Sequence, residues 1–577
     1  MDLELELAQR VTAAVRSGLN LDITSEEAMI RPTAPGRDAD YQSNAAMSLA
    51  RRLGRPSREI GQAIADHLVV GDMLEPARAE GPGFVNLTLR GDWLSRRVAD
   101  LRCDERIGVA STEHPRRVVL DYSAVNVAKE MHVGHLRSTI IGDSIHRLLR
   151  FRGEHVIAQN HVGDWGTPLG MLLEHLLDEE QIHGAATSIG ELNAFYQAAR
   201  LKFDNDPAFQ QRARLRVVAL QGGDDATLEL WHDLIEKSMR YVERLYDLLG
   251  VLLTPADVAA ESFYSPMLSD VAHELESRGL AEVVDGALMA FPPGFTGRDG
   301  RPVPLIVRKS DGGYTYDTTD LAAIRYRARD LHADAILYVV GTTQHLHLEM
   351  IFAMARVAGW LPPQAVATHV GFGQVLGPDG KRFRTRAGES IRLVELLEEA
   401  VERAAAVVAE RSALTDDERA QVARAVGVGA VKYADLASDR IKDYVFDWDR
   451  MLAMDGNTSV YLQYANARVR SVIRRAGGEA PPDTQVVLEH PAERALALAL
   501  AQFPTAVEAT ISHLEPHRLC TYLYDTAVAF STFYEKCSIL SAGTARLRAS
   551  RLVLCELTSR AMVRGLDLLG IEAPDRL

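Results

Sequence analysis

A strand–turn–helix–strand pattern near residue 120 constrains the fold more than any other feature of the sequence. The β-branched run at 116–124 is typical of a buried parallel strand. A helix-like segment then reaches Arg152, and Gly153 separates it from a second strand-like run at 155–164. This order predicts a βαβ unit, whose ligand crevice lies at the carboxyl ends of its strands.

The turn after the first strand carries His132 and His135, with Gly134 between them and Lys129 three residues ahead. Two histidines at this spacing could bind a metal, but no convincing third ligand is nearby, and they could also be structural. Phosphate chemistry is better motivated. A glycine admits a flat base, the amides at a helix start favour anions, and cations would stabilise charge on phosphorus.

The chain is too long, at 577 residues, for one hydrophobic core. A loose charged stretch before the first βαβ strand predicts a boundary, and alanine- and leucine-rich helical periodicity dominates the C-terminal third. We predict a domain at 1–112, an α/β domain at 113–404 with an insertion around 171–300, and a helical bundle at 405–577.

The formal net charge of −15 argues against indiscriminate nucleic-acid binding, although a local basic surface is compatible with it. Basic residues do gather in one C-terminal region, where they could line such a surface or simply be solvated. They are Arg440, Lys442, Arg450, Arg468, Arg470, Arg474 and Arg475.

The sequence indicates a cytoplasmic protein without a membrane span. No run of eighteen apolar residues is present, and the acidic start does not resemble a secretory signal. The four cysteines show neither CxxC spacing nor a histidine at zinc spacing, so we expect reduced thiols. They are Cys103, Cys520, Cys537 and Cys555.

The segment HVGH at 132–135 resembles the His-Ile-Gly-His signature of class I aminoacyl-tRNA synthetases, and NVAKEMHVGHLRSTIIGDS at 126–144 resembles arginyl-tRNA synthetases in particular. Further similar segments follow in family order, including GPGFVNLTL, RKSDGGYTYDTTDLAA and YLQYANARVRS. The resemblance implies a Rossmann-type class I catalytic domain with insertions. It also implies an N-terminal α+β tRNA-binding domain that reads the D-loop elbow, and a C-terminal all-α anticodon-binding bundle.

The resemblance implies an arginine–tRNA ligase that uses ATP with Mg²⁺ and needs no protein-bound metal. Its ATP-binding residues would be His132, Gly134, His135, Gly371 and Gly373. The second class I signature, Lys-Met-Ser-Lys-Ser, is replaced by GKRFRTRAG at 380–388. The implied catalytic cations are therefore Lys381, Arg384 and Arg386 on that loop, with Lys129 beside His132 and His135 supplying the charge that the loop lacks.

The resemblance also implies an arginine-binding set, which consists of Asn126, Glu261, Tyr316, Asp320 and Gln344. Asn126 would hold the α-amino end, and carboxylates would meet the planar guanidinium. Tyr316 and Asp320 are four residues apart and would share one face of a helix start. A substrate without that cation would leave buried carboxylates unpaired, so lysine and citrulline should be rejected.

For tRNA(Arg), the implied contacts are Asn86 in the N-terminal domain and Tyr461, Tyr464, Tyr534 and Leu577 in the bundle. Tyrosines would stack on exposed bases, although a tyrosine at helical spacing is as often a core residue. We expect a monomer.

The chain departs from the family pattern at four places: Ala124-Val125, Pro168, Ala259-Ala260 and Leu577 stand where Ser-Pro, Gln, Arg-Gly and Met are usual. Two alternatives are therefore open, a diverged paralogue serving a specialised pathway or resistance role, and an inactive tRNA-binding protein. Retention of Lys129, His132 and His135 argues against the second.

Overall fold

The structure is a computed structural model, and it describes residues 2–33, 38–127, 129–180, 189–381, 383, 391–409 and 414–577. Contacts divide the chain into two compact units. The first unit comprises Met1–Ser111, Ala453–Asp567 and Glu572–Leu577, and the second comprises Thr112–Leu452 and Leu568–Ile571.

The N-terminal part of the first unit is an α+β arrangement around an antiparallel sheet in the order β1-β2-β4-β3. Its elements are α1 (Leu3–Leu19), β1 (Ile30–Pro32), β2 (Tyr41–Ser43), α2 (Ala45–Leu53), α3 (Ser57–His67), β3 (Arg78–Glu80), β4 (Phe84–Leu87) and α4 (Gly91–Cys103). A turn that contains Gly81 and Gly83 precedes β4. Gly83 has φ +117°, and a Cβ there would lie 2.4 Å from the carbonyl oxygen of Ser57, so only glycine fits.

The second unit is built on a parallel sheet and many helices. Its elements are β5 (Arg117–Asp121), α5 (Val133–Arg152), β6 (His155–Gln159), α6 (Thr167–Glu180), α7 (Ile189–Asn205), α8 (Pro207–Gln221), α9 (Asp225–Leu249), α10 (Glu261–Tyr264), α11 (Leu268–Ser277), β7 (Ala281–Val284), β8 (Ala287–Ala290), β9 (Leu305–Arg308), α12 (Tyr316–Arg329), β10 (Ala335–Tyr338), α13 (His345–Val357), β11 (Val366–His369), β12 (Val375–Leu376), α14 (Leu393–Ala409), α15 (Asp416–Leu436), β13 (Tyr444–Val445) and α16 (Trp448–Met451).

The predicted βαβ unit is confirmed as β5, α5 and β6. The sheet has the order β11-β10-β5-β6, with every neighbouring pair parallel. The central strand β10 is apolar and buried along its whole length, and its neighbour β5 is buried from Val118 to Asp121, as expected for strands covered on both faces.

A buried ion pair lies beneath the carboxyl end of β5. Arg327 is fully buried and places Nη2 2.7 Å from Oδ2 of Asp121. Its Nε donates to Oε1 of Gln159 at the end of β6 (2.6 Å). Because the guanidinium bridges the ends of two strands, it holds the edge of the sheet from which the site loops leave.

The C-terminal part of the first unit is helical, as the 3.6-residue periodicity predicts. Its elements are α17 (Ser459–Ala476), α18 (Pro491–Ala501), α19 (Phe503–His513), α20 (Pro516–Lys536) and α21 (Ala545–Leu568). Arg494 on α18 forms a double hydrogen bond with the carboxylate of Asp40, at 2.6 and 2.7 Å, and so joins the two parts of the unit.

Residues 405–452, which the sequence assigns to the bundle, cluster with the second unit. Compactness alone does not define a functional domain, so the boundaries at 112 and 404 stay predictions.

One stretch among the described residues, Pro491–His513, is long and apolar enough to cross a membrane by length and composition. It forms two helices, α18 and α19, rather than one, and 56% of its apolar window is buried in the fold. Its apolar side chains therefore contribute to the core of the first unit.

Candidate active site

The loops that follow the parallel strands of the second unit converge on one edge of the sheet. β5 is followed by the segment 122–132, β6 by 160–166, β10 by 339–344 and β11 by 370–374. Parallel bridges join Asn126 to Gly163 and Gly341 to Phe372, which pairs these loops two by two. This is the edge at which α/β sheets hold ligands.

The histidine pair is fixed by the start of α5. His132 is the N-cap, and its Nδ1 accepts a hydrogen bond from the amide of Gly134 (3.0 Å). Nδ1 of His135 accepts from the amide of His132 (3.1 Å), and the two ring centroids are 4.0 Å apart. Because both Nδ1 atoms accept, each neutral ring carries its proton on Nε2 and can donate it to a ligand.

Electrostatics keep both imidazoles neutral at pH 7. Burial, the neighbouring ring of His132 and the ammonium of Lys129 lower the pKa of His135 to about 3. Burial, followed by Lys129, also lowers the pKa of His132. The pair therefore acts as two N–H donors, while Lys129 is the formal cation.

A cavity of about 360 Å³ opens beside this pair, and we call it the histidine cavity. Its lining comes from the start of α5 and from the loops after β10 and β11. The lining residues are His132, Val133, Gly134, Arg137, Gly341, Thr342, Thr343, Phe372, Gly373, Gln374, Val375 and Phe383.

Three predicted glycines have different surroundings at this cavity. A Cβ on Gly134 would lie 2.8 Å from Cε1 of His132, so a side chain there would displace the catalytic candidate itself. A Cβ on Gly373 would lie 2.6 Å from the backbone of Lys442. Gly371 is absent from the described lining, and its carbonyl accepts from Nη1 of Arg440 (2.6 Å), which makes it a support for the loop.

A second cavity, of about 700 Å³, is also lined by residues from the loop after β5, and we call it the acidic cavity. Its lining includes Asn126 and Lys129 from the loop after β5, Glu261 from α10, and Tyr316 and Asp317 from α12. Residues far apart in the sequence thus surround one space large enough for an amino acid.

The acidic cavity is lined by the carboxyl groups of Glu261 and Asp317 and by the ammonium groups of Lys129 and Lys309. Burial, with Asp164 and Asp320 nearby, raises the pKa of Glu261 to about 7. Burial also raises the pKa of Asp164, although Ser262 donates its amide (2.8 Å) and hydroxyl (2.5 Å) to that carboxylate. Such a cluster favours a cationic ligand.

The remaining arginine candidates, Asp320 on α12 and Gln344 before α13, are not among the described residues that line either cavity. Oδ2 of Asp320 is 2.6 Å from Nε2 of His347. Gln344 is the N-cap of α13 and ends the 3-10 turn Thr342–Gln344 after β10. Asp320 also acts on the pKa of Glu261, which shows that the two carboxylates face a shared region.

Lys129 has a partner that sequence reasoning missed. Its ammonium lies over the ring of Tyr196, 4.9 Å from the centroid, and Tyr196 stands on α7 in the insertion. Asp164, Asp317 and His347 were also missed. Asp164 and Asp317 lie inside segments that resemble the family. The position of Asp164 just after a strand, and of Asp317 at a helix start, could have marked them as candidates for the site.

Two of the departures have a clear local structure. Ala124 adopts φ +47° after Ser123 at φ +73°, and its amide donates to Oδ1 of Asn160 (3.0 Å). Pro168 is the second residue of α6, where a missing N–H costs no helical hydrogen bond, as the sequence predicts.

The loop after β12 is described only in part. Lys381 is exposed in a turn, where its carbonyl accepts from the amide of Gly377 (2.7 Å). Arg384 and Arg386 lie outside the described residues.

The tRNA candidates lie in the first unit. Asn86 on β4 donates from Nδ2 to Glu80 (2.9 Å). Tyr464 is 38% exposed, whereas the hydroxyl of Tyr461 is 3.2 Å from that of Ser531. The guanidinium of Arg468 lies 4.1 Å from the ring centroid of Tyr534.

Leu577, the last tRNA candidate, is half-buried at the end of the chain. Near it, Nε of Arg470 lies 3.2 Å from Oδ1 of Asp575 and Nη1 of Arg474 donates to the carbonyl of Asp575 (3.2 Å). Two cations of the basic segment thus hold the C-terminal residues against α17.

Comparison with known proteins covers nearly the whole chain. Residues 98–448 match the family described as tRNA synthetases class I (R), catalytic domain, residues 462–577 match the DALR anticodon binding domain, and residues 3–89 match the arginyl tRNA synthetase N terminal domain. The chain is 53% identical to an arginine–tRNA ligase of Thermobifida fusca, with 100% of both chains covered. It is 48% identical to an arginine–tRNA ligase of Frankia casuarinae, with 99% of both covered.

Solved structures agree. The arginyl-tRNA synthetase of Plasmodium falciparum superposes with a TM-score of 0.86 at 29% identity, covering 99% of this chain and 98% of that one. The Thermus thermophilus enzyme gives a TM-score of 0.82 at 25% identity, covering 100% of both. The expected fold class, with its three parts, is confirmed.

Proposed function

The chain belongs to the arginyl-tRNA synthetase family and is an arginine–tRNA ligase, and we propose that its histidine and acidic cavities hold ATP and L-arginine side by side. One observation carries this assignment. Asn126 and Lys129 line the acidic cavity, while His132 and Gly134, a few residues further on, line the histidine cavity. A single loop therefore touches both spaces where two substrates must react.

In the first step the carboxylate of arginine attacks the α-phosphorus of ATP in line with the leaving pyrophosphate. One P–O bond forms and another breaks, and arginyl-adenylate results. The Nε2–H groups of His132 and His135 would donate to phosphate oxygens, and the ammonium of Lys129 would balance the growing charge. In the second step a ribose hydroxyl of the terminal adenosine attacks the adenylate carbonyl, and AMP leaves.

The acidic cavity supports arginine as the amino acid. Glu261 and Asp320 would pair with the planar guanidinium, Tyr316 would pack beside it, and Asn126 would hold the α-amino group. Gln344 would complete the set from the start of α13. Burial and the neighbouring carboxylates of Asp164 and Asp320 raise the pKa of Glu261, and a bound guanidinium would favour its ionised form.

The loop cations Lys381, Arg384 and Arg386 would contribute charge to the pyrophosphate, as the family resemblance implies. We propose that Mg²⁺ enters with ATP, held mainly by phosphate oxygens. Gly373 lines the histidine cavity, and because it has no side chain the nucleotide could approach its backbone closely.

For tRNA(Arg), Asn86 would contact the elbow, and Tyr461, Tyr464, Tyr534 and Leu577 would receive anticodon bases. Two observations favour particular members. Tyr464 already exposes its ring, and Arg468 over Tyr534 forms a cationic platform suited to a base and its phosphate.

We propose a cytoplasmic monomer. Every residue assigned to the two cavities comes from one unit of one chain, and Cys103, Cys520, Cys537 and Cys555 are free. Full-length identity to arginine–tRNA ligases supports the ligase, rather than a specialised paralogue or an inactive binding protein.

The test is arginine-dependent ATP–pyrophosphate exchange with and without total tRNA, with lysine and citrulline as controls. We expect exchange with arginine alone among the three. Exchange with another amino acid would reject the assignment of the acidic cavity. Folded protein that binds tRNA without any exchange would reject the catalytic proposal.

A further inference from the structure

We propose that His347 is a positioning residue for arginine: its imidazole holds the carboxylate of Asp320 in the orientation that meets the guanidinium. The inference rests on the proposed function, because it presupposes that Asp320 contacts the substrate. It adds a residue that contacts neither arginine nor ATP and that affects how tightly arginine binds.

The geometry is specific. His347 is the third residue of α13, and its Nε2 lies 2.6 Å from Oδ2 of Asp320, which is a short charge-assisted hydrogen bond. Its Nδ1 lies 3.6 Å from Oδ1 of Asp317, one turn before Asp320 on α12. The imidazole thus stands between two carboxylates of the same helix face and fixes their separation.

The imidazole of His347 also contacts the ring of Tyr316. Its centroid lies 5.2 Å from that of Tyr316, the first residue of α12 and itself an arginine candidate. Asp317 is anchored independently, since its Oδ2 accepts from the amide of Ile306 on β9 (2.7 Å). The backbone of β9 fixes Asp317, and the imidazole of His347 contacts both Asp317 and Tyr316. Because the same imidazole is hydrogen-bonded to Asp320, it restricts the motion of that carboxylate.

The charge pattern agrees with this geometry. Burial opposes a charge on His347, but the hydrogen bond and charge of Asp320, with Asp317, raise the pKa of His347 above its ordinary value. Asp320 keeps 27% of its side chain exposed, so the carboxylate remains reachable while one oxygen is held. Nε2 donates in the neutral and the charged ring alike, so the positioning does not depend on the charge state.

The experiment compares His347→Leu, which fills the space without a donor, with His347→Gln, whose amide can still donate to Asp320. ATP–pyrophosphate exchange is measured against arginine and against ATP. We expect H347L to raise the arginine KM about tenfold, the loss expected for one hydrogen bond to a charged group. The ATP KM and kcat should change less than about threefold, and H347Q should recover most of the loss.

Two further variants make the test decisive. His273→Leu removes an exposed histidine from α11 of the same unit and should leave both KM values unchanged. D320N should raise the arginine KM by itself, and adding H347L to it should have no further effect, because the orienting group then has nothing to orient.

The outcomes distinguish a failure of the role proposed for His347 from a failure of the role proposed for Asp320. If D320N raises the arginine KM while H347L and H347Q leave it unchanged, His347 has no positioning role and the proposed function stands. Additive effects in the double variant would also overturn the inference. If D320N leaves the arginine KM unchanged, the proposed role of Asp320 fails and the inference fails with it.

Discussion

The histidine cavity and the acidic cavity are neighbours, yet they are built in opposite ways. The histidine pair comes from four consecutive residues, and hydrogen bonds from their own backbone amides fix both rings. The acidic cavity collects side chains from the loop after β5, from α10 and from α12. Local sequence therefore suffices to fix the histidine pair, whereas the tertiary fold brings the loops after β10 and β11 to it and assembles the acidic cavity.

The two cavities also differ in charge. Around the histidines, burial and Lys129 remove positive charge from the imidazoles, which leaves neutral donors. Around Glu261, burial and neighbouring carboxylates raise the pKa, so the carboxyl ionises readily only when a cation lies beside it. The first environment suits a nucleotide that brings its own cation, and the second suits a substrate that is itself a cation.

The largest effect should come from removing the charge of Asp320, the carboxylate that acts on the pKa of Glu261. Asp320→Asn should raise the arginine KM about a hundredfold, because a buried guanidinium then loses a charged partner. Steady-state exchange against arginine concentration measures this. The ATP KM should stay within about threefold of the original, and an equal rise in both would show general damage instead.

Next in size, Lys129→Ala should depress adenylate formation about thirtyfold, since the formal cation near the phosphates is lost. Binding to tRNA, measured by filter retention, should change little. Lys237→Ala, on the outer face of α9 and paired with Asp233, is a matched loss of one charge and should be silent. Unchanged turnover in K129A would remove Lys129 from the mechanism.

The pH dependence of arginine binding should reveal Glu261. Its pKa of about 7 means that the carboxyl is protonated below neutral pH, so the arginine KM should rise about tenfold per unit as pH falls below 7. Glu261→Gln should flatten this profile and give a high KM throughout. A profile that keeps the same inflection in E261Q would assign the titration to another group.

The raised pKa of Glu261 also predicts how the stability of the fold depends on pH. The folded value lies above the ordinary value of 4.5, so between pH 4.5 and about 7 the folded chain retains a proton that the unfolded chain has lost. Because the unfolded chain ionises first, the free energy of unfolding falls as pH rises through that window. E261Q should raise Tm relative to the original chain at pH 8 and not at pH 4, by thermal unfolding.

The smallest effect should come from Tyr196, which lines the acidic cavity and contacts Lys129. Tyr196→Leu removes the cation–π contact and should lower kcat about threefold, whereas Tyr196→Phe keeps the ring and should be nearly silent. In a K129A background the leucine substitution should have no effect. A loss that is independent of Lys129 would make Tyr196 an ordinary packing residue.

Much of the fold could be predicted from pattern alone. The apolar runs of β5 and β10 and the glycine after α5 are local signals, and local signals suffice for a βαβ unit. The grouping of residues 405–452 with the second unit has no such signal, because α14 and α15 have the same periodicity as any bundle helix.

The sequence by itself determined the chemistry that each candidate residue can offer and, through family order, the identity of most of them. The tertiary structure alone decided which side chains meet. It placed Tyr196 over Lys129, gathered Asp164 and Asp320 beside Glu261, and set His347 between Asp317 and Asp320. The physical reason is that pKa values and hydrogen bonds depend on distances and burial, which separation along the chain does not encode.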